Sequence, residues 1–78
     1  MHAETPETID HAVKLADAID AMPDAAIYYL RMSIAHIVDR LNQNAREYSD
    51  HAETRARGAA MRESAERITA RLERVTRP

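Results

Sequence analysis

The stretch PDAAIYYLRMSIAHIVDRLNQNAREY, residues 23–48, decides the fold. Within it Ile27, Leu30, Ile34, Ile37, Val38, Leu41, Ala45 and Tyr48 recur at steps of three and four, the spacing that lines side chains along one face of an α-helix. Tyr28, Met32 and Ala35 repeat that spacing on a second sector about 100° away. A helix that is apolar on more than one side needs at least two neighbours. Nothing else in the chain is as hydrophobic, so the flanking segments are expected to cover it.

Upstream, Thr5-Pro6-Glu7 reads as a helix start: a hydroxyl residue at the N-cap, proline at the first helical position and a carboxylate in the first turn. Ile9, Ala12, Val13, Ala16 and Ile19 share a face, with Leu15 at its border, and the run should stop near Ala21 because Pro23 disfavours helical geometry at Met22. Pro23-Asp24 then restarts the chain as the central helix.

Two signals compete for the end of that helix. Asp50 and Glu53 have the spacing of a capping box with Asp in place of the hydroxyl residue, which would put a break at Ser49-Asp50. Gly58, the one glycine of the chain, is a natural left-handed residue at a helix C-terminus. Downstream, Met61, Ala65, Ile68, Leu72 and Val75 form a 4-3-4-3 repeat. On an uninterrupted helix Met61 would lie about half a turn from Ala52, so the two stripes would face opposite ways. A reversal at Gly58 repairs this and is favoured, giving helices over about 6–21, 24–57 and 59–76. On the last helix Arg62/Glu66, Glu63/Arg67 and Glu73/Arg77 are i,i+4 pairs of opposite charge, each worth a few tenths of a kcal/mol.

The formal charge of −2 conceals an asymmetry. Residues 1–24 carry six carboxylates against Lys14, a balance of −5; residues 25–50 are neutral; residues 51–78 carry seven arginines against four glutamates, a balance of +3. An acidic front and a basic rear attract each other, within one chain or between two. No segment shows the alternation of a strand. The first residues lack a basic stretch followed by an apolar one, and no uncharged run is long enough to span a bilayer. With no cysteine, neither disulfides nor thiolate metal sites are available, which fits a reducing compartment. A soluble, cytoplasmic protein away from membranes is expected, and the Ala- and Arg-rich composition points to a bacterial or phage genome.

The vocabulary of catalysis is thin. Ser33, Ser49 and Ser64 stand in no nucleophile motif, and there is no glycine-rich phosphate loop. Glu47/Asp50 and Glu63/Glu66 could share a divalent cation across a helical hairpin, but Arg46, Arg62 and Arg67 stand beside them. The four histidines are scattered, with only Glu47/His51 at a ligand-sharing spacing. No cofactor, metal or catalytic residue is expected. Arg67, Arg71 and Arg74 fall on one helical face and form the candidate anion or nucleic-acid contact, although helix three has no aromatic residue for base stacking.

The expected fold is all-α: an elongated single-domain three-helix unit, a helical hairpin with a short N-terminal helix. Helix two is the expected spine, with helix one folded on its first half and helix three on its second. At this length a chain buries only about 60% of its unfolded surface, so association into a larger homodimeric bundle is expected. The expected role is a non-enzymatic protein–protein interaction module, an adaptor, regulator or inhibitor. Its interface would draw on Tyr28, Met32, Ala35, Tyr48 and Met61, with nucleic-acid binding through the arginines as the alternative.

Overall fold

A computed structural model describes residues 6–77. Every regular element among them is helical: α1 (Pro6–Asp20), α2 (Asp24–Tyr29), α3 (Arg31–Ser49), a single 3-10 turn (Ala52–Thr54) and α4 (Arg55–Thr76). The molecule is elongated, 41 × 19 × 17 Å. Within the described residues α1 begins at Pro6, and the predicted Thr5 cap lies outside them.

The central helix is bent rather than straight. Leu30 (φ −98°, ψ 15°) separates α2 from α3, yet backbone hydrogen bonds run through the bend, from the Leu30 N–H to the Ala26 carbonyl (3.0 Å) and from the Ile34 N–H to the Leu30 carbonyl (2.9 Å). On the outside of the bend the Arg31 guanidinium donates to the Tyr28 carbonyl at 2.8 Å and lies 4.2 Å from the centre of the Tyr28 ring. The predicted seam is the observed one: Ile27, Ile34, Leu41 and Ala45 are buried and Ile37, Val38 and Tyr48 pack against them. Leu30, at the bend, turns outward.

Gly58 does not end a helix, and this corrects the favoured reading. α3 stops at Ser49, the chain reverses over residues 50–54, and Gly58 sits inside α4 with no positive φ. Thr54 closes the turn, its hydroxyl donating to the Tyr48 carbonyl at 2.5 Å. Asp50 ends α3 in αR geometry and does not act as the predicted N-cap. The opposed stripes require a reversal somewhere between Tyr48 and Met61, and a turn over residues 50–54 satisfies them as well as one at Gly58. The glycine serves contact instead. Gly58, Met61, Ala65, Ile68 and Leu72 are spaced by threes and fours, so Gly58 opens the α4 stripe at the point where α3 crosses. A Cβ there would stand 2.7 Å from the Ala45 carbonyl oxygen and 2.5 Å from the Ser49 hydroxyl.

The spine is also a different helix from the expected one. α1, α2 and α3 all pack on α4, whereas α1 and α3 hardly approach each other. The reason lies in the α4 stripe, where Gly58, Ser64 and Ala65 are small and buried and allow close approach. α1 answers with its own small residues, Ala12 and Ala16, and with Ile19, all buried. Its buried face is rotated from the predicted one, toward the half-buried Leu15 and away from the exposed Val13.

Two stability measurements check this packing. Leu41→Ala should lower the unfolding free energy by about 2–5 kcal/mol. Gly58→Ala should destabilise by about 1–3 kcal/mol through overpacking, despite the roughly 1 kcal/mol that alanine gains in helix propensity, because a backbone carbonyl blocks the Cβ. A Gly58→Ala variant that melts higher than the parent would show that the helices do not cross so closely.

Candidate interaction surface

The arginines of α4 are the candidate anion contacts. Arg67 Nη2 lies 2.9 Å from Asp17 Oδ1 and 2.6 Å from Asp20 Oδ2, so one guanidinium bridges two carboxylates a turn apart on α1. Its hydrogen bond to Asp20, and then that to Asp17, raises its pKa above the usual arginine value. Arg71 reaches the α1–α2 turn: Nη1 is 2.8 Å from Asp24 Oδ1 and Nη2 donates to the Met22 carbonyl at 2.6 Å. Arg71 is only 8% exposed, an uncommon burial for arginine that these partners make tolerable. Arg74 stays exposed, beside Glu73 and Arg77 in a shallow surface depression.

The face predicted for phosphates is thus divided, with two of its three arginines held by the acidic N-terminal segment of the same chain. The predicted Glu63–Arg67 pair is replaced by these contacts, because two carboxylates converging from α1 outweigh one glutamate on an exposed helix face. Arg62 makes only a long 3.4 Å hydrogen bond to the Ser49 hydroxyl instead of closing with Glu66.

The predicted interface residues scatter. Tyr28 and Met32 are 51% and 77% exposed and lie on the outer side of the α2–α3 bend, so these two are brought together at the surface. Ala35 is half-buried and Tyr48 packs against the core. Met61 is core, 2% exposed, and is withdrawn from the interface: its place in the α4 stripe turns it toward α3 rather than outward. Sequence reasoning missed Tyr29, which at 83% exposed is the most open large apolar side chain among the described residues. Its phase, about 140° from the Ile34 seam at 100° per residue, was the available signal.

A second surface feature was not legible. Because α1 and α3 both lean on α4 and not on each other, a groove of about 350 Å³ runs between them. Leu15, Ile37 and Leu41 give it an apolar floor, and His11, His36, Arg40 and Asn44 line its rims. Among the described residues no three of His, Cys, Asp and Glu form a group that could hold a metal ion. Among the described residues no helix is long and apolar enough to cross a membrane. In comparisons with known proteins, the chain matches no family model, no curated protein and no solved structure.

The burial of Arg71 separates it from its neighbour in a thermal melt. Arg71→Ala, which strips a charged donor from the Met22 carbonyl, should cost about 1.5–3 kcal/mol. Arg74→Ala should stay within about 0.5 kcal/mol of the parent. Equal effects at the two positions would contradict the structural role of Arg71.

Proposed function

We propose that the protein is a non-enzymatic helical interaction module, a small adaptor, regulator or inhibitor, and that it pairs with itself through the outer face of the α2–α3 bend. One observation carries this reading. Tyr28, Tyr29, Leu30 and Met32 are all exposed within residues 28–32 of a chain that has only three aromatic residues. A folding core would draw tyrosine and methionine inward, yet two of the three tyrosines stand in solvent while the core is built from Ile, Ala, Leu and Met.

Tyrosine, methionine and arginine are the residue types enriched where proteins meet, because each offers a large contact area together with a polar or polarisable atom. Arg31, stacked on Tyr28, adds the third type to the cluster. With Tyr28 51%, Tyr29 83% and Met32 77% exposed, these side chains together offer roughly 300–400 Å² per copy, within the size range of exposed patches that acquire function on monomers. Two copies, with the helix surface around the cluster, approach the 800 Å² per partner of a standard interface. Self-association would also supplement the limited core of so short a chain.

The alternative, a nucleic-acid-binding protein gripping phosphates with Arg67, Arg71 and Arg74, is the weaker reading, because Arg67 and Arg71 already serve Asp17, Asp20, Asp24 and the Met22 carbonyl.

Sedimentation equilibrium tests the proposal. The parent protein should run at about twice its 8.8 kDa mass at micromolar concentration, and the triple variant Tyr28→Ser, Tyr29→Ser, Met32→Ser at 8.8 kDa with its helix content intact. A parent that stays monomeric at every concentration, or a triple variant that still dimerises, would refute it.

A further inference from the structure

We infer that the groove between α1 and α3 receives a single amphipathic helix from a partner protein, one whose apolar stripe is flanked by acidic residues. The inference rests on the reading of the chain as an interaction module. It concerns a surface separate from the Tyr28–Met32 cluster.

The shape argues for a helix. α4 carries α1 on one side and α3 on another, and the two leave between them the place that a fourth helix takes in a bundle. From His36 to Asn44 the α3 wall rises about 12 Å at 1.5 Å per residue, which accommodates two to three turns. Leu15, Ile37 and Leu41 would meet apolar side chains at helical spacing, the mode by which amphipathic helices seat themselves in grooves.

Charge argues for acidic flanks. α1 segregates its ionisable groups: Asp10, Asp17 and Asp20, at spacings of seven and three, share the flank that faces Arg67, while His11 and Leu15 occupy the groove side. On α3, Arg40 is exposed and makes no hydrogen bond or ion pair among the described residues, and His36 stands one turn before it. Among the described side chains no carboxylate lines the groove. Among the described side chains of that flank, Glu47 lies a turn beyond Asn44, and Asp39 is turned about 100° away from Arg40 on the helix surface. The described rims therefore offer the Arg40 guanidinium and the hydrogen-bonding nitrogens of His11, His36 and Asn44 over an apolar floor, the complement of a helix with Asp or Glu beside its apolar stripe. A nucleic-acid backbone would satisfy the rims but leave the floor facing water. The acidic α1 of a second copy is not available, since Asp17 and Asp20 hold its own Arg67 and its apolar face, with Ala12, Ala16 and Ile19, is already buried.

Selection from a phage-displayed library of random helical peptides on the immobilised full-length chain tests this. Enriched sequences should carry apolar residues three and four apart with Asp or Glu beside them, and the synthesised winners should bind in fluorescence anisotropy. Arg40→Glu, an exposed and non-disruptive change, should weaken them at least about tenfold, equivalent to 1.4 kcal/mol. The Tyr28/Tyr29/Met32 serine variant should bind them unchanged, which separates this groove from the proposed dimer face. Absence of enrichment, winners with basic flanks, affinity indifferent to Arg40→Glu, or displacement by a random-sequence DNA duplex would each overturn the inference. None of these outcomes decides the dimer, which sedimentation reads independently.

Discussion

The hold of α4 on the turn between α1 and α2 sets where every other surface of the molecule lies. Arg71 is committed to the Met22 carbonyl and to Asp24, and one turn earlier Arg67 bridges Asp17 and Asp20. Together they lay α1 alongside α4 in the same direction, so that the chain must leave α1 at the end of α4 and return antiparallel to it as α2 and α3. Cohesion comes from elsewhere. Exposed ion pairs contribute about 0–1 kcal/mol, whereas each fully buried Ile or Met side chain contributes about 1.5–3 kcal/mol, and Ile27, Met61 and Ile68 are all fully buried. The apolar stripes hold the helices together, and the arginines select which way round they meet.

That division of labour explains what was legible in the sequence. The helices and the seam Ile27–Ile34–Leu41–Ala45 follow from periodicity, because burial of one face leaves a regular trace every three or four residues. The attraction between acidic front and basic rear was also legible as charge, but its partners were not. Asp17 and Asp20 are some fifty residues from Arg67 along the chain, and no local rule names such a pairing. Gly58 was misplaced for a related reason. A lone glycine serves either a positive φ or a close approach, and only the crossing helix, which brings the Ala45 carbonyl to it, distinguishes the two. The choice of spine failed because hydrophobicity identifies the greasiest helix, whereas the central element is the one whose small residues let others come near. In α4 those are Gly58, Ser64 and Ala65.

The same geometry shapes the functional reading. With Arg67 and Arg71 engaged inside the chain, the surface left for partners is apolar and aromatic at the α2–α3 bend, and apolar with cationic rims between α1 and α3. Both are consequences of α1 and α3 each leaning on α4: the groove is the space between them, and the bend carries Tyr28, Tyr29 and Met32 on the side away from α4. Two distinct surfaces on so small a chain support the proposal of an interaction module.

The claim at the centre of this account is that the arginine face of α4 serves the chain's own carboxylates rather than phosphates. Titration of the protein against a labelled random-sequence DNA duplex at low ionic strength, read by fluorescence anisotropy, tests it most directly. The account predicts no saturable binding. A submicromolar complex that weakens with salt along a log–log slope near −0.9 for each phosphate contacted would contradict it.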